Sequence, residues 1–300
     1  MPNLRSLVKR RKAIRNIRKI TKTMELIATA RFKKALDRAT EAEAYTKKIA
    51  ELAADLTKSA GEVSHPLLAT RPEIKKTLVL VLTANRGLCG GYNGGVLRAS
   101  MTKIKPMIAE KLGFDIEVSG KRGMNYFKFQ QIPTTAFYTH FEEKPQFDEV
   151  DKVASKYVDM YTSGAIDQLI VVYQKFYSIS RQQAVVETLL PLSSVAVENK
   201  RTDTASIASA SVARKDDYEF LPSAASILNE LVPVAFKVRL FKCFLDAAVG
   251  EQIARRVAMK AATENAGDLI KEVSRVYNRT RQANITKEIS ELIAGSEALK

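Results

Sequence analysis

The hydrophobic pattern of the first 60 residues repeats every seven positions. A second set of apolar residues follows three positions after the first, a spacing typical of a coiled-coil seam rather than of an ordinary amphipathic helix. The pattern predicts one long helix over residues 1–60, ended by Gly61 and Pro66. The first set comprises Leu7, Ile14, Thr21, Ala28, Ala35, Ala42, Ile49 and Leu56, and the second Ile17, Met24, Tyr45 and Leu52.

The last 83 residues carry the same spacing and predict a second long helix over residues 218–300. Pro222 suits a first helical turn, whereas Pro233 should kink the helix or delay its regular start. The seam residues are Ile227, Leu231, Val234, Val238, Phe241, Leu245, Ala248, Gln252, Arg255, Met259, Ala262, Ala266, Leu269, Val273, Val276, Thr280 and Ala283.

Neither predicted helix can bury its apolar stripe alone, so the simplest arrangement is an antiparallel two-helix coiled coil with the middle of the chain inserted. Matching the start of the second seam to the end of the first makes the numbers of paired residues add to about 279. That register places Met24 near Arg255 and Leu7 near Glu272.

The end of the second helix has no predicted partner within the chain. Residues after about Val276 lie beyond the first helix in the predicted register. After Ala283 a new apolar stripe of Ile285, Ile289 and Leu292 begins in a different phase. The sequence therefore predicts a helical tip that packs against another chain.

The middle of the chain alternates strand-like and helix-like runs, which predicts a Rossmann-like α/β domain over residues 77–197 with a largely parallel sheet. A polar linker over 198–217 follows. Helices are predicted over 95–112, 122–130 and 147–162, and strands in "TLVLVLT", "FDIEVSG", "TTAFYTHF", "DQLIVVYQKF" and "QAVVETLLPL".

Charge adds a preference for acidic partners. The net charge is +15, and nine Lys or Arg lie between Arg5 and Lys22 with no acid before Glu25. This basic run could bind nucleic acid through phosphates, but it lacks interleaved aromatics and any base-reading motif, so a solvated coil face is favoured.

The longest apolar run near the middle is about five residues, too short to span a bilayer. Two cysteines and two histidines predict no disulfide framework, metal site or catalytic triad.

The glycine-rich stretch "LTANRGLCGGYNGG" between the first strand and the next helix resembles a phosphate-binding loop by position only. Its glycines at 87, 90, 91, 94 and 95 do not have the spacing of a dinucleotide fingerprint or of a P-loop. The glycines could serve only a tight turn with Arg86 in solvent, or the turn could contact an acidic partner. Cys89 could be a reactive thiol, although small size in a crowded turn is the favoured reason for it.

Three stretches, in this order, resemble the γ subunit family of F-type ATP synthase. They are "IRNIRKITKTMELIATARFKKA", "ANRGLCGGYN" and "RRVAMKAATENAGDLIKEVSRVYNRTRQANITKEISELIAGSEAL". The resemblance covers essentially the whole chain. The stretches depart from the family pattern at Arg256 and Glu297, where apolar residues are usual.

The resemblance implies a non-catalytic rotor shaft that binds no nucleotide, cofactor or metal. It implies a coiled coil inside a ring of three α and three β subunits, with the α/β domain at the foot beside the ε subunit and the membrane c-ring. Rotation would couple ion flow to ATP synthesis or hydrolysis and regulate both. A bacterial enzyme without a transit peptide would place the chain peripherally on the cytoplasmic side of the cell membrane, with no insertion into it.

Several residues match family positions concerned with coupling or partner contacts. Met24 resembles the coupling methionine, and Arg255 the facing stretch on the long helix. Arg86, Gly87 and Cys89 belong to the loop that approaches an acidic region of the β subunit. The remaining matches resemble a pair that binds a loop of the β subunit, Arg281 and Gln282, and nearby coupling residues, Thr286 and Glu288.

Two other functions compete with the rotor at this level. One is a nucleotide-binding α/β domain on a stalk, which requires the 87–95 loop to hold phosphate. The other is a basic coiled-coil adaptor for nucleic acid or a membrane surface, which requires the Lys9–Lys22 run to act alone.

Overall fold

A computed structural model describes residues 3–59, 65–69, 71–141, 144–192 and 224–297. The chain divides into two compact units, residues 1–30 with 255–300 and residues 31–254. The predicted linker over 198–217 lies outside the described residues. Below, the first unit is called the distal unit and the second the domain unit.

The two long helices predicted from the heptads are present. Helix α1 spans Leu4–Ser59, and the C-terminal helix, α5, spans Ala224–Glu297. Helix α5 continues through Pro233. The helix already begins at Ala224, before the proline, so the expected delay of its regular start does not occur.

The domain unit contains a five-stranded sheet in the order β3-β2-β1-β4-β5. Strands β1 to β4 are parallel, and β5 is antiparallel to β4. The predicted largely parallel sheet and its Rossmann-like topology are thus confirmed. The strands are β1 (Lys76–Leu82), β2 (Gly113–Ser119), β3 (Ala136–Tyr138), β4 (Gln168–Phe176) and β5 (Gln182–Leu190).

Three helices connect the strands: α2 (Tyr92–Ala109), α3 (Lys121–Phe129) and α4 (Phe147–Thr162). Helix α2 begins and ends three residues earlier than predicted. It incorporates Gly94 and Gly95 in its first turn, and the chain leaves it through Lys111 at a φ of 54°. Strand β3 is shorter than predicted, because carbonyls just beyond it accept hydrogen bonds from Asn85 instead of continuing the ladder.

Both faces of the sheet are covered, so the central strand β1 is buried on both sides. Val79 and Val81 pack with residues of α2 and α3, whereas Leu78 and Leu80 pack with α4 and the first turns of α5. This explains why β1 reads as a continuous apolar run rather than an alternating one.

The antiparallel pairing of α1 and α5 is confirmed separately in each unit. In the domain unit, Glu43 lies 3.1 Å from the Nζ of Lys242. In the distal unit, the Thr263 hydroxyl lies 2.8 Å from the Thr21 hydroxyl. The apolar contacts are Phe32, Ala35 and Ala39 with Leu245, Val249 and Ile253 in the domain unit, and Leu7 and Ile14 with Ala266 and Val273 in the distal unit.

The predicted register was wrong by about five residues. Paired residue numbers add to 284 for Thr21 with Thr263, not to about 279. In this register Met24 lies opposite Lys260 rather than Arg255, and Leu7 lies opposite Tyr277 rather than Glu272. The predicted register came from matching the start of the second apolar stripe to the end of the first. The apolar pattern does not specify which residues of the two helices lie opposite each other.

The first heptad position of α1 faces α5 as predicted, but the second was assigned to the wrong side. Ile17 is 52% exposed and Tyr45 is 57% exposed. Residues four positions after the first set are buried instead, among them Phe32 and Ala39. Helix α1 has apolar residues both three and four positions after members of the first set. Packing against α5 decides which of these two groups is buried.

Candidate functional site

The glycine turn after β1 is held by side chains of the turn itself. The amide oxygen of Asn93 accepts the N–H of Ala84 at 2.9 Å, and its nitrogen lies 3.1 Å from the Sγ of Cys89. Leu88 and Gly90 adopt positive φ values of 63° and 54°. The turn is therefore tight and internally bonded.

The N–H groups at the start of α3, the helix that follows β2, are already bonded to the protein's own groups. The N–H of Lys121 bonds to the amide oxygen of Asn85 at 3.0 Å, and the N–H of Gly123 bonds to the Thr83 hydroxyl at 2.9 Å. The N–H of Arg122 bonds to the carbonyl of Ala84 at 3.1 Å. An anion at the start of α3 would have to displace all three of these bonds.

A basic surface surrounds the outer side of the turn. Arg86 is exposed, as predicted, and Leu88 beside it is 59% exposed. The guanidinium of Arg122 covers Gly87 so closely that a Cβ on that glycine would lie 2.6 Å from Nη2. The surface therefore combines cations with one exposed apolar side chain, which suits an acidic protein partner.

Cys89 lies inside this turn and not on its surface. It is 2% exposed and packs with Ala84, Tyr92 and Ala254. Burial in a crowded turn supports the packing role favoured from the sequence.

Met24 and Arg255 are brought into the distal unit, but the register does not place them opposite each other. Met24 is half-buried beside the seam, and Arg255 is 9% exposed. The hydrogen bond between Thr21 and Thr263 is the polar contact of this seam that the sequence prediction missed.

The four predicted contact residues near the C-terminus lie together on an exposed stretch of α5. Arg281, Gln282, Thr286 and Glu288 are all exposed, and the Thr286 hydroxyl donates to the carbonyl of Gln282 at 3.0 Å. Thr280 is 9% exposed, so intrachain packing continues about one turn further than predicted. Beyond it, Ile285, Ile289, Leu292 and Ile293 are 48–74% exposed.

Sequence reasoning also missed a polar cluster that joins the sheet to α5 in the domain unit. Glu187 of β5 accepts hydrogen bonds from Arg239 and, at 2.6 Å, from the Tyr173 hydroxyl. Burial raises the pKa of Glu187, but the charges of Arg239 and Lys175 outweigh it and hold the pKa below its usual value. The sequence feature that could have revealed this cluster is Glu187 itself, a glutamate within the largely apolar strand β5.

Metal and membrane sites find no support within the part of the chain described. Those residues contain no group of three or more metal-ligating side chains. None of the described helices is long and apolar enough to cross a membrane.

Comparisons with known proteins agree over the full length of the chain. The family model described as ATP synthase matches residues 3–299. The ATP synthase gamma chain of Rhodopirellula baltica is 55% identical over 300 residues, covering all of both chains. That of Chlorobaculum tepidum is 35% identical over 303 residues, again covering all of both.

A solved structure shares the fold at low sequence identity. A chain of the Euglena gracilis mitochondrial ATP synthase assembly of OSCP, F1 and c-ring aligns with a TM-score of 0.66 and 17% identity, covering 99% of this chain and 94% of that one. This likeness concerns the fold alone. The family match and the relatives together show that the chain belongs to the ATP synthase γ chain family.

Proposed function

We propose that this chain is the central rotor shaft of an F-type ATP synthase. In this role it turns inside a ring of three α and three β subunits and couples ion flow across a membrane to ATP synthesis or hydrolysis on the β subunits. The names of the relatives and the rotor assemblies among the structural neighbours support this proposal.

The exposed end of α5 is the observation that carries the proposal. From Arg281 to Ser296 every residue except the half-buried Asn284 is exposed. Four large apolar residues in this stretch are 48–74% exposed within the described part of the chain. An apolar helical surface of this kind needs a partner chain, and a ring that encloses it would supply one.

Coupling requires the shaft to favour different states of the surrounding subunits. An asymmetric coil presents a different side to each β subunit, so each orientation stabilises a different conformation of each nucleotide site. Torque on the shaft then becomes a difference in nucleotide affinity, and by reciprocity hydrolysis turns the shaft.

A non-catalytic role is supported by the glycine spacing after β1, which matches neither a dinucleotide fingerprint nor a P-loop. Asn85 and Thr83 occupy the N–H groups that a phosphate would need at α3. The chain itself would bind no nucleotide, cofactor or metal.

The predicted contact residues fall on two surfaces of the proposed rotor. Arg281, Gln282, Thr286 and Glu288 would contact the β subunits from the exposed end of α5. Met24 and Arg255 would act on the coil, and the loop of Arg86, Gly87 and Cys89 would face an acidic surface of a β subunit. The α/β domain would bind the ε subunit and the c-ring, and the chain would then lie peripherally at the cytoplasmic side of the cell membrane.

Reconstitution tests the proposal directly. The chain is co-expressed with α and β subunits from the same source, and the purified complex is assayed for ATP hydrolysis with and without the chain. We expect one chain per ring and faster hydrolysis in its presence. A ring that forms without retaining the chain would contradict the rotor function.

A matched pair of variants separates specific from general effects in the same assay. Arg281→Ala removes a predicted contact, whereas Lys271→Ala removes an exposed cation on the same helix that pairs with Asp268 at 3.0 Å. We expect at least a tenfold loss of the hydrolysis that the chain stimulates for the first variant and less than a twofold loss for the second. Equal effects would remove Arg281 from the contact surface.

A further inference from the structure

Three ion pairs within one short stretch of α5 tie this helix to other elements of the domain unit. Each pair uses a Lys or Arg of α5, and each acidic partner belongs to a different element: helix α4, strand β5 or helix α1. The pairs are Lys237 with Asp151 at 2.8 Å, Arg239 with Glu187, and Lys242 with Glu43 at 3.1 Å. We name these three pairs the α5 anchor.

The three cations of the α5 anchor leave the helix on different sides. Successive residues of an α-helix are about 100° apart around its axis, so Lys237 starts about 160° from Arg239 and about 140° from Lys242. A charged group roughly 6 Å from the axis moves about 3 Å when the helix turns by about 30°, which is enough to break an ion pair. Rolling of α5 in either direction therefore strains contacts on both sides of the helix.

The central pair is the most enclosed of the three. The side chain of Glu187 is 9% exposed, against 36% for Asp151 and 68% for Glu43. One of its oxygens accepts from Arg239, and the other accepts from the Tyr173 hydroxyl at 2.6 Å and lies 3.5 Å from the Nζ of Lys175. Arg239 thus binds a carboxylate that is itself fixed to the sheet.

Apolar packing holds α5 against the sheet but specifies its rotation less sharply. Phe236 and Leu240 of α5 are fully buried in the core that α4 and the sheet share. Hydrophobic attraction has no preferred direction, so it opposes separation of the helix from the sheet more than it opposes rolling. Ion pairs join particular atoms and supply the missing direction.

We propose that the α5 anchor fixes the rotation of α5 relative to the α/β domain, so that torque passes between the two with little twist. The proposal rests on the function proposed above, because only a rotor has to carry torque. Arg239 and Glu187 would be positioning residues, which act through α5 and touch no nucleotide.

The angular fluctuation of a stalled rotor measures this stiffness. The complex with α and β subunits is fixed to a surface, and a nanorod is attached at Lys103→Cys, an exposed position of α2. The natural cysteines are each only 2% exposed, which directs the label to position 103. A non-hydrolysable ATP analogue stops rotation, and the variance of the rod angle is inversely proportional to the torsional stiffness.

Reversal of the partly exposed pair gives the main comparison. Lys237→Glu should raise the angular variance at least twofold, because it replaces the attraction to Asp151 by repulsion. Adding Asp151→Lys restores an ion pair of opposite order and should return the variance to within 1.2-fold of the parent. The control Lys75→Glu reverses a cation that is 80% exposed and pairs with Glu73 of its own segment, and it should leave the variance unchanged.

The buried pair gives an independent comparison. Glu187→Gln should also raise the variance at least twofold. Asp167→Asn removes a carboxylate that is 12% exposed and binds Arg71 at 2.6 Å, away from α5, and should not raise it. Thermal unfolding of both isolated chains shows whether a loss of stability alone accounts for the change.

The outcomes separate the anchor from the rotor function. Equal variance for Lys237→Glu and the parent chain, or failure of the reversed pair to restore the variance, would overturn the anchor. The series at position 237 decides the matter if Glu187→Gln does not assemble. If the unmodified chain does not rotate in the ring when ATP is supplied, the rotor function fails; if it rotates and the variants match the parent, only the anchor fails.

Discussion

Gly120 and Gly94 lie near the same edge of the sheet but differ in the room they leave for a side chain. Gly120 has a φ of 98°, and a Cβ there would lie 2.1 Å from the carbonyl oxygen of Thr83. A Cβ on Gly94 meets nothing within 4 Å. Gly120 is thus required for the close approach of β1 to the start of α3.

We expect Gly120→Ala to lower the free energy of unfolding by about 2 kcal/mol or more, since it combines a clash with backbone strain. Gly94→Ala, in the first turn of α2, should be neutral or stabilising by up to about 1 kcal/mol. Urea unfolding followed by tyrosine fluorescence measures both, as the chain has ten tyrosines and no tryptophan. A smaller effect at 120 than at 94 would contradict the structure around Thr83.

Asp246 gives the domain unit a pH-dependent stability. It is 1% exposed, 3.0 Å from the Nζ of Lys242, and also near the charges of Glu43 and Lys175. Burial raises the pKa of Asp246 to about 6, because the loss of water outweighs the attraction of Lys242. Its contribution to stability is therefore full below pH 3.8 and is lost as the pH rises through 6.

The variant Asp246→Asn tests this sign. Relative to the parent chain, its free energy of unfolding should increase by up to about 3 kcal/mol between pH 4 and pH 7, because two pKa units correspond to that amount. Asp268→Asn, which removes a carboxylate that is 75% exposed on the same helix, is the matched control. Urea titrations at both pH values provide the measurement, and parallel curves for the two variants would refute the role of Asp246.

At the scale of elements, the seam between α1 and α5 decides which residues meet. Thr21 and Thr263 face each other across it with their hydroxyls 2.8 Å apart. Residue 258, which the sequence register would place opposite Thr21, lies five residues away, or about 7.5 Å along the helix.

A pair of cysteine variants distinguishes the two registers. Thr21→Cys with Thr263→Cys should form a disulfide under mild oxidation, because the side chains are in contact. Thr21→Cys with Ala258→Cys should not. Non-reducing electrophoresis after proteolysis between the helices measures this, and the natural cysteines are each only 2% exposed. Preferential linking of 21 to 258 would restore the predicted register.

The elements differ in how far their own residues specify them. Helix α4 matches its predicted span over 147–162, because its apolar spacing and the residues at both ends agree. The flank of α1 that faces α5 was assigned wrongly, since Ile17 and Phe32 are both apolar and each fits a heptad. The contact residues predicted near Arg281 came from a resemblance, and no local pattern identifies their partners.

At the scale of the whole chain, the exposed end of α5 should matter for coupling and not for folding. The residues from 284 to 296, which truncation after Ala283 removes, are exposed or half-buried, so the unfolding midpoint of the isolated chain should stay unchanged. In the complete ATP synthase, including its membrane subunits, ATP hydrolysis should become poorly coupled to ion transport. Thermal unfolding and ATP-driven ion pumping provide the two measurements.

A second truncation provides the control. Ending the chain after Val273 also removes Tyr277, which stacks on Arg11, and Thr280, which is 9% exposed. This variant should lose stability as well as coupling. If the shorter truncation alone destabilises the isolated chain, the exposed end has an intrachain partner.

The sequence by itself determined the heptad helices, the α/β alternation between them and the failure of the glycine spacing to match a nucleotide site. These features depend on residues close together in the chain, where periodicity and turn chemistry suffice. Only the tertiary structure decided the register of α1 against α5 and the flank of α1 that is buried. It also decided that the N–H groups at the start of α3 bond to Asn85 and Thr83. Those outcomes depend on side chains from distant segments competing for the same contacts, and such competition leaves no local pattern.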